Sequence, residues 1–210
     1  HMRYPTAQIY RLATTADFPY HACGAQQDNT TVCVASEGSH LSNPRGQNED
    51  WMYAVGGGES GYVTPHPVDP DIFFAGATNT LTKYDRKTGL SFDIQPYPRI
   101  VMGEPAEVMP ERWNWTYPIT ISNTDPEMLY VGSQHLWRSL DEGNTWDKIS
   151  PDLTRADPET LGDSGGPIVK DQDGPEIYGT IYSIGSSYFD DEVIWTGSDD
   201  GLIHVTVNAG

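Results

Sequence analysis

The residues of this 210-residue chain best suited to chemistry are carboxylates set in short Gly-, Asn- and Trp-containing strings. Glu59 follows Gly56-Gly57-Gly58. Asp199 and Asp200 precede Gly201, and Glu176 closes Asp171-Gln172-Asp173-Gly174-Pro175-Glu176. Two such acids on either side of a glycosidic bond can serve as acid and base or nucleophile. Glu59 paired with Asp199, Asp200 or Glu176 is the candidate catalytic set. Gln27, Asp28, Arg112, Trp113, Trp115 and His135 lie in similar strings. Tryptophan faces stack on sugar rings, and the polar groups bond hydroxyls, so these six are candidate ligand-binding residues. The local reading of each is ordinary loop packing or solvation, most of all for Trp113 and Trp115.

Two further strings compete with this reading. Gly162-Asp163-Ser164-Gly165-Gly166-Pro167 copies the nucleophile string of chymotrypsin-like serine proteases, and His21-Ala22-Cys23 faintly echoes their histidine string. A triad needs histidine, buried aspartate and serine brought together beside an oxyanion hole. Short Gly/Ser/Asp loops also produce such strings by chance. Asp171, Asp173 and Glu176 offer oxygen ligands for Ca²⁺ but lack EF-hand length and spacing, which favours a plain acidic turn. The six histidines form no zinc motif, so no other metal and no cofactor is expected.

These loops need strands to position them, and the chain repeats one strand pattern four times. Thr124-Asp125-Pro126-Glu127 leads into the apolar run Met128–Gly132, then Leu136–Ser139, then a turn through Gly143. The same order starts at Asp69 and at Asp190, with a weaker copy at Asp17. The anchors step by 52, 56 and 65 residues, which suits four-stranded propeller blades with loop insertions. Inner strands are expected at 8–12, 61–64, 117–122 and 177–184. No segment carries a helical stripe, and 21 Gly with 16 Pro suit many turns. The expected fold is all-β: one domain over 3–210, with blades at about 6–56, 57–98, 112–150 and 175–210. His1-Met2 is read as a cloning remnant.

Ser139-Leu140-Asp141-Glu142-Gly143-Asn144-Thr145-Trp146 fits the pattern S-x-D-x-G-x-T-W. Here Asp141 can accept backbone N–H bonds across the turn and Gly143 can take a positive φ, while Trp146 packs between sheets. Ser139 and Thr145 complete the motif. It resembles the BNR/Asp-box repeats of sialidases, xyloglucanases and sortilin-type receptors. The stretch from Trp113 to Thr154 is similar to large bacterial propellers described as glycosyl-hydrolase or sortilin-like. The resemblance implies a secreted or periplasmic bacterial protein. It implies no particular activity, because enzymes and receptors share the box.

Propeller topology puts the loops between second and third strands on the same face as the inter-blade connections. That face is expected to carry the first group, Gln27, Asp28, His135, Asp199 and Asp200. The second group there is Glu59, Arg112, Trp113, Trp115 and Glu176, with Arg112 the only arginine placed on it. The favoured function is a binding or scaffold module recognising a glycan or an extended peptide on this face. The alternative is part of a glycoside hydrolase, and a serine protease is a distant third.

Composition trims the partner list. With 30 acidic against 12 basic residues the net charge is −18, which excludes the counterion-releasing contacts nucleic acids need. No run of about 18 apolar residues is present, so no membrane span is expected. Thr206-Val207-Asn208-Ala209-Gly210 looks like a degenerate box stopped before its Thr-Trp end. The chain is therefore expected to be part of a ring of about seven or more blades, with an autonomous four-bladed ring as the alternative. It is also expected to self-associate through open blade edges, around Trp51, Tyr53, Trp195 and the strand 202–207. Cys23 and Cys33 fall opposite each other on a hairpin, so disulfide and reduced pair both stay open.

Overall fold

A computed structural model of the chain describes residues 7–37, 52–77, 80–98, 103–168, 170, 172, 174–175 and 177–210. Four antiparallel sheets follow one another along these residues, each in simple up-and-down order. The first holds β1 (Ala13–Thr14), β2 (His21–Ala25), β3 (Thr31–Ala35) and β4 (Met52–Tyr53). The second holds β5 (Val63–Pro65), β6 (Ile72–Ala77), β7 (Thr80–Asp85) and β8 (Leu90–Asp93). The third holds β9 (Ile119–Ile121), β10 (Leu129–Gly132), β11 (Leu136–Ser139) and β12 (Asp147–Lys148). The fourth has three strands among the described residues: β13 (Ile181–Ser186), β14 (Val193–Ser198) and β15 (Ile203–Val207). A single helical turn, α1 (Pro158–Leu161), lies between β12 and β13.

The repeated aspartates start three blades in the same way. The carboxylates of Asp69, Asp125 and Asp190 each accept the backbone N–H two residues on, at 3.0 Å. Their carbonyls accept from Ile72, Met128 and Val193, at 3.2 Å each. Short Asp side chains make this Asx-type turn without a partner from elsewhere, so the signal is local. Asp17 differs: it accepts from the Thr15 hydroxyl, and its second oxygen lies 3.8 Å from His21 Nδ1.

Successive strand residues point to opposite faces, and the middle strands exploit this fully. In β6, Phe73 and Ala75 face the first sheet, where they bury Cys23, Ala25 and Cys33. Phe74 between them faces the third sheet and joins Ile119, Leu129 and Val131. In β10, Tyr130 turns the other way from Leu129 and Val131 and meets Ile181 and Ile194 of the fourth sheet. Each fully buried large side chain contributes about 1.5–3 kcal/mol. Continuous apolar runs at these strands follow from burial on both faces.

Close sheet packing also dictates one glycine. A Cβ on Gly61 would fall 1.3 Å from the Gly76 carbonyl oxygen, so no other residue fits where β5 approaches β6. Cys23 and Cys33 are directly paired across β2 and β3 and form a disulfide.

Two expectations shift. The first inner strand is Ala13–Thr14 rather than 8–12; in the preceding run Ile9 makes one isolated bridge to Gln26. Tyr53 does not lie on an open flank. It packs on Phe73 and His21, with ring centroids 5.9 and 5.0 Å apart, inside the interface of the first two sheets. Trp51 lies outside the described residues.

Candidate functional site

The connections β2–β3, β10–β11 and β14–β15 share one face with the segments joining one sheet to the next, as antiparallel order requires. Hydrogen bonds gather the expected residues there into two groups. In the first, Glu59 Oε2 accepts the Asp28 N–H at 2.5 Å, holding Asp28 at φ +56°. Gln27 Oε1 accepts from the Tyr10 hydroxyl at 2.6 Å. The Tyr10 ring stands edge-on to Trp115, centroids 5.2 Å apart.

The second group lies between the third and fourth sheets. Arg112 is buried; its Nε donates to the Gly179 carbonyl (2.8 Å), and its Nη2 to Asp152 (2.7 Å) and Thr154 (3.0 Å). Burial pushes the Asp152 carboxyl up, but Thr154 and Arg112 outweigh it and hold it below its ordinary value. One residue beyond Gly179, Thr180 donates its N–H and hydroxyl to the two oxygens of Asp199, at 2.9 and 2.7 Å. Burial dominates for Asp199 and raises its pKa despite these bonds. Asp200 accepts the Arg155 N–H at 2.7 Å and the Ser198 hydroxyl at 2.5 Å. Trp113 is buried against Tyr117, centroids 5.1 Å apart. Glu176, Asp171 and Asp173 lie outside the described residues, so the candidate Ca²⁺ turn does too.

His135 leads to a residue that pattern reading missed. Glu111 is buried, and its Oε2 accepts from Ser133 Oγ at 2.6 Å and contacts His135 Nδ1 at 3.0 Å. Its Oε1 accepts from Lys148 at 2.5 Å. Burial alone would raise this carboxyl, but His135, Lys148 and Ser133 together bring it down to about 2. The acid thus ties the β10–β11 loop to the last strand of the same blade.

A second missed residue is Arg11, just before β1. Its guanidinium carbon lies 5.2 Å from the Tyr62 ring centre and 5.3 Å from that of Tyr182. It therefore joins the first blade to the second and the fourth. Burial raises the Tyr62 phenol, with Arg11 beside it pulling the other way. Arg11 also lines a cavity of about 370 Å³ along β1, β5 and β9. A signal for it existed: an arginine in a run assigned to an inner strand can face the axis.

On the opposite face the Ser139–Trp146 turn has the expected geometry. Asp141 Oδ1 accepts the Thr145 N–H at 2.8 Å, and Oδ2 accepts the Thr145 hydroxyl at 2.7 Å. Bonds from Thr145 and Ser139 lower the Asp141 pKa. Ser139 Oγ accepts the Gly143 N–H at 2.7 Å, and Gly143 sits at φ +90°. Trp146 Nε1 donates to the Ile94 carbonyl at 2.8 Å, fastening the turn to the second blade.

Ser164 lies between α1 and β13, its hydroxyl 3.3 Å from the Gln172 amide. His21 is a buried residue of β2 in the first blade. Among the described residues no three His, Cys, Asp or Glu side chains converge as a metal site. No helix among them is long and apolar enough to cross a membrane.

Sheets stacked in sequence order, with strand connections sorted to two faces, define a four-bladed β-propeller. No family model matches the sequence, and no curated protein does. Among solved structures, the chain is similar to the extracellular domain of a putative one-component system from B. thetaiotaomicron. The two are 14% identical, with a TM-score of 0.48 over 97% of this chain and 22% of that one. The chain thus spans about a fifth of that neighbour's length.

Proposed function

We propose that this propeller is a recognition scaffold of the BNR/Asp-box kind, binding a glycan or an extended peptide on its loop face. The observation that carries the reading is how the acids of that face are used. Glu59 holds the Asp28 amide, Asp199 the Thr180 amide and Asp200 the Arg155 amide. Carboxylates bound to backbone stiffen loops, and a stiff face binds with less ordering cost. Tyr10 and Trp115 add aromatic surface to the first group. The Cys23–Cys33 disulfide supports a secreted or periplasmic setting, where such bonds persist.

Glycan and peptide arrays test the reading, followed by Glu59→Gln and Asp200→Asn. Binding weakened roughly tenfold or more in either variant supports it. Binding unchanged in both moves the site off this face. A second reading, glycoside hydrolysis, draws on Asp199, whose raised pKa suits a general acid. Release of reducing ends from a polysaccharide, abolished by Asp199→Asn, would put that reading first.

A further inference from the structure

We propose that the outer cleft between the third and fourth blades docks a partner's extended strand carrying a tryptophan, paired with β15 and with its indole in the cavity beside that strand. The site lies on the outer rim, apart from the loop face, and goes beyond the recognition reading above. Its shape follows from a repeat within the molecule. In the third blade β12 pairs with β11, Trp137 opposite Lys148 and Arg138 opposite Asp147, which sets Trp146 level with Ser139. Trp146 packs on the core that Leu81 and Leu129 form from facing blades, and its Nε1 donates to the Ile94 carbonyl at 2.8 Å.

The walls of that slot recur one blade on. Ile149 N–H donates to the Leu136 carbonyl at 2.9 Å, as Ile94 N–H does to Leu81 at 2.8 Å. A Cβ on Gly210 would fall 2.8 Å from Ile149 Cβ, and one on Gly143 would fall 3.1 Å from Ile94 Cβ. Leu136 and Ile194 meet as Leu81 and Leu129 do, and Thr206 holds the Gly210 N–H as Ser139 holds that of Gly143. Between these walls lies a cavity of about 140 Å³, lined by Leu136, Pro151, Ile194, Thr196, Thr206 and Gly210. A space of about 150 Å³ with apolar walls takes a benzene-sized ring. The Ile149 carbonyl is the counterpart acceptor for an indole N–H.

The strand that carries the ring has a ladder to join. β15 is the last strand of its sheet among the described residues. Ser198 N–H donates to the Leu202 carbonyl, and alternation from that pair turns the Val205 N–H and carbonyl to the open edge. An edge with a side-chain pocket beside it is the geometry of strand addition: main-chain bonds give affinity, and the pocket selects the side chain. The cavity continues the interface of the third and fourth blades, which Leu136 and Ile194 also build. The net charge of −18 favours a partner strand with basic flanks.

The test is an NMR titration of the folded chain with a capped synthetic peptide copying Gly143–Ser150, the molecule's own strand of this kind. The Val205 and Gly210 amide signals are expected to shift. A Trp146→Ala peptide should bind about tenfold or more weakly, and an Asp147→Lys peptide more tightly at low salt. Val205→Pro removes the edge N–H without touching the β14 ladder and should weaken binding to a similar extent. Circular dichroism and Tm show whether that variant folds. Should it unfold, a peptide N-methylated at Asp147, the position that faces Val205, breaks the same ladder from the other side. Equal affinity of the native and Trp146→Ala peptides, unchanged binding after either backbone change, or shifts confined to Gly143 and its neighbours would each overturn the assignment. So would β15 signals that move with protein concentration alone, in step with dimerisation in sedimentation velocity, since the occupant would then be a second copy. No rise in affinity with Asp147→Lys would overturn the basic character given to the partner.

Discussion

The third and fourth blades build the same turn and end in different surroundings. In the third, Glu142 N–H donates to the Glu127 carbonyl at 2.9 Å; in the fourth, Ala209 N–H donates to Glu192 at 2.9 Å. Glu142 and Ala209 both take positive φ, +54° and +66°. Ser139 Oγ accepts from Gly143 at 2.7 Å, and Thr206 Oγ1 accepts from Gly210 at 3.0 Å. Asp141 then gains Thr145, whereas Asn208 bonds Thr206. The two turns therefore share the same hydroxyl bond and positive-φ residue, each held in addition by a glutamate carbonyl from outside the turn.

Burial is not local in that way. Cys23, Phe74, Tyr130 and Trp195 hold equivalent places in the four middle strands, each pointing toward the next blade. The first three are 0% exposed and Trp195 is 53% exposed. Its register partners Gly185 and Val205 lie beside it, with Ile203 and Val207 on the same uncovered face. The difference teaches that strand pattern specifies which side of a blade is apolar, and a neighbour decides whether that side is core.

The largest expected effect comes from exchanging these positions for alanine. Tyr130→Ala should cost about 3–5 kcal/mol, since it empties a closed interface. Trp195→Ala should stay within about 1 kcal/mol in the monomer. Denaturant unfolding of both variants at micromolar concentration measures this. Equal losses would show that Trp195 is covered in solution and break the contrast.

The two blades also fix their second loops with acids of opposite character. Glu111 in the third blade has a folded pKa of about 2, below the ordinary glutamate value. Its stabilisation is therefore complete above about pH 4.5 and is lost as pH falls toward 2, about 3 kcal/mol in all. Asp199 in the fourth has a raised pKa, so its charged form costs stability and acid relieves that cost. Glu111→Gln should destabilise by about 3 kcal/mol at pH 7 by stranding Lys148 and His135, and should flatten the acid limb of Tm against pH. Asp199→Asn, which removes that relief, should make the limb steeper than in the unaltered chain. A steep limb surviving in Glu111→Gln would assign acid unfolding to other carboxylates.

What was legible in the sequence divides along the same line. Asp69, Asp125 and Asp190 announce their turns because each bonds within three residues of itself. Ser139–Trp146 announces its geometry likewise, and Phe73–Ala75 and Leu129–Val131 announce doubly buried strands. Glu111 was invisible because its partners lie 22, 24 and 37 residues away, and no spacing rule joins them. Arg11 escaped because the run 8–12 reads as plain strand, yet regular pairing starts only at Ala13. Topology assigns Arg112 to an inter-blade connection, but that it is buried against Gly179, Asp152 and Thr154 depends on a segment some 40–70 residues on.

A smaller effect separates the glycines of the two turns. A Cβ at Gly143 would lie 2.4 Å from Ile94 Cδ1 and 3.1 Å from its Cβ, at φ +90°. Gly143→Ala should cost about 1–3 kcal/mol from backbone strain and the shifted isoleucine. A loss measured below about 0.5 kcal/mol would mean that the second and third blades separate here at little cost, and that the Trp146 bond does not fix them.

The smallest effect isolates the turn hydroxyl itself. Ser139 is fully buried, and its Oγ bonds Gly143 N–H and Asp141 at once, so water cannot replace it. Ser139→Ala should cost about 1–2 kcal/mol, the penalty for a buried N–H left without an acceptor. Thr206 makes the same bonds at an exposed end, where solvent reaches Gly210 and Asn208 once the hydroxyl is gone. Thr206→Val keeps the side-chain shape and the β-branched strand preference, so its cost should stay below about 0.5 kcal/mol. Differential scanning calorimetry resolves such a difference when both variants are run against the unaltered chain in one buffer. A Thr206→Val loss as large as that of Ser139→Ala would show that the second turn is sealed from water. In that case the fourth blade would be covered on that side, and the distinction between a turn encoded locally and a core supplied by a neighbour would fail at the place where it is drawn most finely.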